Sequence, residues 1–437
     1  MDAQTITGEG AGRRRLAHGL TFGRRTWVLL LPFLLVFVLV PLLAPYRANL
    51  YDDEGAYVGL AKLLAHGHLL TGRDTLVGGG NAPPNLWFGP GLTFLLVPLV
   101  KLGAPLTALR LVGPACLFAA LLVFFALLRL VVPPRNALLG ALAFGLYLPF
   151  YTVIAFVHSE PVAVLFVTLA LYATVRYDRE GRPGFLALAG GSLAGLALTR
   201  VAYGWILTVL LVAAAAAYVL RPRKHERRVL AVLALALVLC LPWLAYTRSV
   251  TGHVFYWGSS GALSLYWMSS PASEDKGDWH GANDVFREPQ LASHRPYFRQ
   301  LGTLDLNGQN RSLERRAEHN IRAHPFKFAR NVVDNISRMW LNRPYSFKPS
   351  RTSGLVYALP NALVLAGLAL AAVLSVRRRR GLDRLAVEIG LFALTAFGLH
   401  ALLAAYPRML MPLIPVALLA IVAGISKPAA AAGAARA

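Results

Sequence analysis

The sequence predicts an all-α, polytopic membrane protein. Of its 437 residues, 56% are hydrophobic and 15% are charged, whereas roughly a quarter of the residues of a soluble protein are charged. The apolar residues also fall in long blocks, and the first of these, 29–46, approaches the ~20 residues that a helix needs to cross a bilayer. Composition and block length therefore indicate membrane-spanning helices before any motif is considered.

About ten crossings are expected, joined by short basic segments or by long polar ones. They are predicted over 27–46, 106–130, 137–156, 160–175, 185–199, 201–220, 229–247, 353–376, 385–404 and 409–425. The first block follows a basic N-terminus, so a cleaved secretory signal is an alternative. However, the block is longer than a signal core and ends in Pro45 and Arg47 without a small-residue cleavage site. We therefore interpret it as a retained helix.

The apolar stretch 88–104 decides the topology. It would extend about 25 Å as a helix, which is short for the hydrocarbon core. If it crosses, the basic segments 221–228 and 377–384 face outward. If it lies along the membrane or re-enters, they join the basic N-terminus in the cytoplasm, as the positive-inside rule requires. We therefore predict a re-entrant or interfacial segment, with both chain termini inside.

This topology divides the chain into five parts. They are a basic cytoplasmic N-terminus (1–26), a transmembrane module (27–247) with a first outer loop (47–105), a large periplasmic loop (248–352), C-terminal transmembrane helices (353–425) and a disordered tail (426–437). Within the large loop, 313–340 is predicted as a juxtamembrane helix with a break at His324-Pro325.

The basic charge and the two cysteines exclude several kinds of site. The net charge is +23, and much of it lies in short segments between apolar blocks, which topology explains better than nucleic-acid binding does. Cys116 and Cys240 both lie inside apolar blocks, so no disulfide framework, zinc site or iron–sulfur site is expected.

Three consecutive carboxylates, Asp52, Asp53 and Glu54, head an amphipathic run in the first outer loop. Acids at a helix N-terminus suit the macrodipole, so a solvated capping cluster is one interpretation. General base catalysis is the other, since transfer of a group to a hydroxyl or an amine needs a carboxylate to take the acceptor proton.

A second polar group, His158-Ser159-Glu160-Pro161, falls on the same predicted side. A carboxylate at the membrane edge is expensive and is usually functional or paired, although Ser159 and Pro161 also suit an ordinary helix start. Four arginines lie at outward ends of helices or in the first outer loop: Arg73, Arg200, Arg248 and Arg408. They are suited to hold a phosphate group, or they simply reach the interface as long side chains do.

Four stretches of the chain form a set when taken in order: Asp53-Glu54 with Tyr57 and AKLLAHG, then PPNLWFGPGLTFLLVPLVKLG, LPWLAYTRSVTGHVF and YPRMLMPLIP. Together they resemble the GT-C glycosyltransferases of the protein-mannosyltransferase and aminoarabinose-transferase type (glycosyltransferase family 39 and its relatives). The third stretch has Tyr246-Thr247 where Arg-Asn is usual, and the fourth has Met409 where a Tyr is usual. Asn81-Ala82 replaces a basic residue of the aminoarabinose transferases.

The resemblance implies a GT-C fold with periplasmic juxtamembrane helices. It also implies transfer of a hexosyl or pentosyl group from a polyprenyl-phosphate donor to a lipid, glycan or protein acceptor. The reaction would take place at the outer face of the bacterial inner membrane, with the large loop selecting the acceptor.

In the resemblance, Asp53 is the implied base, with Asp52 as its immediate rival, and we expect Glu54 to orient the acceptor or to coordinate a metal. The expected substrate-binding residues are Tyr57, Arg248 and Arg408, which lie in the matching stretches, and His158, Glu160 and Arg200, which lie on the same predicted side. No organic cofactor is implied, and a divalent metal held by the carboxylates is left open.

Two other functions remain as alternatives. A non-enzymatic transporter or flippase of lipid-linked saccharide needs ionisable residues inside the crossings to line a path, and the predicted helix interiors hold few of them. An assembly or scaffold protein would use the acids of the first outer loop only to cap a helix.

Overall fold

The computed structural model describes residues 23–44, 53–68, 86–347, 353–378 and 384–426. Helices make up the regular secondary structure in these ranges. The first eleven are α1 (Arg24–Leu43), α2 (Asp53–Ala65), α3 (Pro90–Lys101), α4 (Leu106–Arg110), α5 (Val112–Val131), α6 (Pro134–Gly145), α7 (Pro149–Val153), α8 (Glu160–Glu180), α9 (Pro183–Thr199), α10 (Ala202–Leu220) and α11 (Lys224–Thr251).

The carboxyl-terminal part begins with a helical region that lies outside the long apolar helices (252–347, named the external region for that reason) and returns to long apolar helices. Its α-helices are α12 (Ser260–Met268), α13 (Ala282–Arg287), α14 (Arg295–Leu301), α15 (Leu306–Ala323), α16 (Pro325–Leu341), α17 (Ser353–Arg377), α18 (Arg384–Leu402) and α19 (Ile414–Ile425). Two 3-10 helices, Pro289–His294 and Pro407–Leu413, precede α14 and α19. The break between α15 and α16 falls at His324, where the sequence predicts it.

Eight helical segments of the described chain are long and apolar enough to cross a membrane. They are α1, α4 with α5, α8, α10, α11, α17, α18, and the second 3-10 helix with α19. The predicted all-α polytopic class is thus confirmed. A ninth predicted crossing corresponds to α9, which is apolar but has only 17 residues.

The crossing predicted over 137–156 is wrong as a single helix. The chain instead forms α6 and α7, with a turn at 146–148 between them. Pro149 has no N–H, so it cannot donate to the carbonyl of Gly145 as the next turn of a helix would require. The hydroxyl of Tyr151 donates to that carbonyl at 2.8 Å and satisfies it in place of the backbone.

The short helix α3 occupies the stretch that the charge pattern assigns to the membrane surface. With 12 residues it is about 18 Å long, too short to cross the hydrocarbon core alone. Just before and within it, Gly89 and Gly91 contact the end of α9 so closely that a Cβ atom at either position would collide with Leu198 or Thr199. The two glycines therefore permit the approach that brings α2 and α3 beside the end of α9.

The external region, 252–347, packs on the membrane helices through α16, which contacts α17, α18 and the second 3-10 helix. It has its own apolar core, built around Trp267, Phe298 and Leu313. The largest core of the membrane part lies between α5, α6 and α8 and includes Phe124 and Phe144. The boundary between these two bodies is where the polar residues predicted for the site are found.

Candidate active site

A cavity of about 810 Å³ lies where the external region meets the ends of the membrane helices. Its volume is within the range of about 300–1,000 Å³ that is typical of small-molecule sites. One wall comes from helix ends and includes Asp53, Tyr57, Glu160, Arg200 and Arg408. The opposite wall comes from the external region and includes Ser260, Asp278, Trp279, Asp284 and Tyr345.

Carboxylates and arginines alternate along the first wall. Asp53 Oδ2 lies 2.7 Å from Nη1 of Arg408, and Nε of Arg408 lies 3.6 Å from Oε1 of Glu160. That same oxygen accepts a hydrogen bond of 2.7 Å from Nη1 of Arg200. Glu160 is 1% exposed, whereas Asp53 is 22% exposed and reaches the cavity. The four side chains form a row in which negative and positive charges alternate.

Four separate elements bring this row together. Asp53 is the first residue of α2, and Glu160 is the first residue of α8. Arg200 directly follows α9, and Arg408 lies in the first turn of the second 3-10 helix. Negative side chains at the N-terminus of a helix are favoured by its dipole, so the positions of the two acids also suit their own helices.

His158 and Ser159 extend the row on its buried side. Ser159 makes no capping hydrogen bond to α8 and instead accepts one of 3.2 Å from Nη1 of Arg200. Nδ1 of His158 lies 3.3 Å from Nη1 of Arg408 and 4.0 Å from Oε2 of Glu160. The His158–Glu160 segment therefore surrounds both arginines with polar groups.

Glu54 points away from the cavity, although it follows Asp53 directly. Its carboxylate is fully buried and accepts two hydrogen bonds from Arg110, at 2.8 and 3.0 Å. A third comes from the backbone N–H of Val157, at 3.1 Å. Glu54 does not line the cavity, so in this arrangement it joins α2 to α4 and to the segment before α8.

Tyr57 lies one turn after Asp53 and lines the cavity, with its ring centroid 4.7 Å from that of Phe88. Burial raises the pKa of the Tyr57 phenol above its usual value, and the charge of Asp53 adds to this effect. Burial likewise raises the pKa of Tyr345 on the opposite wall. Both phenols therefore stay protonated at neutral pH, and that of Tyr345 donates its hydrogen to Oδ1 of Asn342 at 2.5 Å.

The remaining predicted residues lie elsewhere. Arg248 is exposed in the last turn of α11 and does not line the cavity. Asp52 and Arg73 fall outside the described residues, so the choice between Asp52 and Asp53 stays a prediction.

The suggested metal ligands are not gathered into one cluster within the described residues. Within residues 53–68 and the other described ranges, no cluster of three or more His, Cys, Asp or Glu side chains is arranged to hold a metal ion. Of the four acids in the suggested ligand set, the three that the structure describes each face an arginine: Asp53 faces Arg408, Glu54 faces Arg110 and Glu160 faces Arg200.

Sequence reasoning assigned the large loop to the acceptor but named none of the residues of this wall. Asp278, Trp279 and His280 form a short run in the large loop, and Tyr406 donates to the carbonyl of Trp279 at 2.9 Å. An acid, a tryptophan and a histidine in succession are the only local signal for this run. That signal is weak because the predicted topology puts the whole loop on one side and does not single out this run.

No protein-family model matches the chain, and no curated protein sequence matches it. Several solved structures, however, are similar to the chain. The apo oligosaccharyltransferase of Archaeoglobus fulgidus superposes with a TM-score of 0.54 at 15% identity, over 91% of this chain and 50% of that one. AglB of the same organism, in complex with an inhibitory peptide and a dolichol-phosphate, gives 0.52 at 14% identity, over 92% and 50%.

A weaker likeness, with a TM-score of 0.41 at 15% identity, covers 92% of the chain and 78% of ArnT from Cupriavidus metallidurans bound to undecaprenyl phosphate. The chain spans about half the length of the archaeal oligosaccharyltransferase. At these identities the likeness concerns the fold, and it agrees with the helical architecture described above. The chain therefore has the GT-C fold, which it shares with the archaeal oligosaccharyltransferase.

Proposed function

We propose that the chain is a membrane glycosyltransferase. It would move a hexosyl or pentosyl group from a polyprenyl-phosphate donor to an acceptor at the outer face of the bacterial inner membrane. The observation that carries this proposal is the row of Asp53, Arg408, Glu160 and Arg200 in a cavity at the ends of membrane helices. A carboxylate that can take a proton there stands beside two cations that can hold a phosphate.

The reaction follows from these groups. Asp53 takes the proton of the acceptor hydroxyl or amine while that atom attacks the anomeric carbon of the sugar. The bond between this carbon and the phosphate oxygen breaks, and the electron pair leaves with the polyprenyl phosphate. Arg408 and Arg200 stabilise the phosphate as its charge develops. Attack on the side opposite the phosphate inverts the configuration of the anomeric carbon.

The location of the row suits a lipid-linked donor. Arginines at helix ends lie at the depth where a phosphate headgroup meets water, while the polyprenyl chain stays in the bilayer. The archaeal structure of similar fold was solved with a dolichol-phosphate, which is a lipid phosphate of the same chemical class. The wall with Asp278, Trp279 and Tyr345 faces the row and would receive the acceptor.

A transfer assay tests the proposal against the flippase alternative. Purified protein in liposomes is given undecaprenyl-phosphate-linked sugars, and the release of undecaprenyl phosphate and of glycosylated acceptor is followed. A transferase cleaves the donor and forms a product, whereas a flippase moves intact lipid between leaflets. Transbilayer movement of uncleaved donor, without any sugar transfer from a panel of hexosyl and pentosyl donors, would contradict the proposal.

Arg408→Gln is expected to weaken binding of undecaprenyl phosphate. A hydrogen bond to a charged group contributes about 1.5–3 kcal/mol, so the dissociation constant should rise roughly 10- to 150-fold. Arg408→Lys keeps the charge but loses the planar guanidinium, so its dissociation constant should lie between those of Arg408→Gln and wild type. Binding to the purified protein in detergent measures the effect. Equal affinity in Arg408→Gln and wild type would exclude Arg408 from the phosphate site.

A further inference from the structure

Two buried polar side chains of α16, Asn335 and Arg338, take no part in the chemistry proposed above. They lie one helical turn apart, and both are fully buried. A buried charge is tolerated only when it is paired or fully hydrogen-bonded. The partners of these two side chains therefore show which parts of the molecule they hold.

Asn335 binds the backbone that leads from α18 to Arg408. Its amide donates to the carbonyls of His400, Ala401 and Leu403 at 2.9, 3.0 and 2.8 Å. Its side-chain oxygen accepts a hydrogen bond of 3.1 Å from the N–H of Ala405. This stretch of backbone includes the end of α18 and the irregular residues after it, whose polar groups need partners from other elements.

Arg338 joins three segments that are distant in sequence. Nε donates to the carbonyl of Ala405 at 3.2 Å, and Nη1 donates to the carbonyls of Lys276 and Pro344 at 3.2 and 2.8 Å. Nη2 donates to the side-chain oxygen of Asn335 at 2.9 Å. The fixed fork of a guanidinium suits several acceptors at once, which a lysine ammonium on a flexible stem does not.

Each of the three segments carries cavity-lining residues a few positions further on. Asp278 follows Lys276, Tyr345 follows Pro344, and Arg408 follows Ala405. The three segments supply both the arginine that faces Asp53 and part of the opposite wall. One guanidinium thus fixes the two walls of the cavity relative to each other.

We propose that Arg338 and Asn335 are positioning residues for the donor site. Acting through backbone carbonyls, they hold Arg408 and the external wall in the register that binds the phosphate of a lipid-linked sugar. The inference rests on the proposed function, since it names what places the phosphate-binding arginine. To the residues that would touch the substrate, the inference adds two residues that set the distances between those substrate-binding groups.

The test compares Arg338→Lys with a control variant, Arg330→Lys. Arg330 is an exposed arginine on the same helix. Undecaprenyl phosphate is titrated into each purified protein, and both the dissociation constant and the number of binding sites per folded molecule are measured. For Arg338→Lys we expect the dissociation constant to rise about tenfold, less than the roughly 100-fold loss of rate that a 1 Å misplacement of reacting groups can cause. The number of sites should be unchanged, and Arg330→Lys should bind as wild type does.

A merely structural role would give the opposite pattern, with fewer binding sites of unchanged affinity, and that result would overturn the proposal. If Arg338→Lys does not fold, Asn335→Ser decides, because it removes the three donations to the carbonyls without adding a charge. Unchanged affinity in Asn335→Ser would also overturn the proposal. A wild-type protein that does not bind undecaprenyl phosphate would instead contradict the proposed function, and this inference with it.

Discussion

Replacing Asp53 with Asn is expected to slow sugar transfer by about 10²- to 10⁴-fold, the range typical of a lost general base. The amide has nearly the same shape as the carboxylate but cannot take the acceptor proton. Asp53 is the one carboxylate of the row that is partly exposed to the cavity, since Glu160 is held by Arg200 on its buried side. Initial rates of transfer at saturating donor, measured at matched protein concentration, give the effect.

Two comparisons make this result specific. Glu318→Gln removes a carboxylate from an exposed ion pair of α15 and should leave the rate unchanged. Binding of undecaprenyl phosphate to Asp53→Asn should be retained, because Arg408 loses a competitor for its guanidinium. If Asp53→Asn transfers sugar at the wild-type rate, Asp53 is not the base, and Asp52→Asn becomes the variant to measure.

Replacing Arg110 with Met is expected to destabilise the protein by about 3–5 kcal/mol, because it leaves the carboxylate of Glu54 buried without its cation. Both side chains are at most 2% exposed, so water cannot compensate. Denaturant unfolding of the purified protein in detergent measures the loss. The single variant should also show less folded protein in membranes.

The double variant Glu54→Leu with Arg110→Met supplies the control. Removing both partners of a buried ion pair and filling the space with apolar groups is often close to neutral, so most of the lost stability should return. Sugar transfer by the stable double variant then distinguishes a structural role of Glu54 from a catalytic role. Transfer that stays absent in a stable double variant would support the acceptor-orienting role predicted for Glu54 from the sequence.

The sequence was most informative where the charge pattern indicates membrane topology. Asp53, Glu160 and Arg408 are distant in sequence, yet their positions at the outward ends of predicted crossings placed them on one side, and the structure brings them into one cavity. The short helix α3 agrees with the same argument. Whether these residues have the predicted roles is a question for the variants above.

Other features had no signal in the sequence. Arg110 lies in an apolar block, and nothing local identifies Glu54, on a different helix, as its partner. The turn between α6 and α7 was not predicted, because hydropathy is averaged over a window that includes Pro149 and indicates one continuous apolar block. Asn335 and Arg338 look like ordinary residues of an amphipathic helix, and only their backbone partners reveal the contact. Pairings between distant segments depend on packing, which residue order alone does not specify.

The alternation of two acids with two arginines has a consequence for how the donor arrives. Because the charges cancel within the row, the two arginines contribute little net field beyond the Debye length of about 8 Å at physiological salt. A phosphate would not be drawn in from a distance and must displace Asp53 from Arg408 by direct contact. Capture should therefore depend on lateral diffusion of the lipid within the bilayer and change little with ionic strength, unlike capture by an open basic patch.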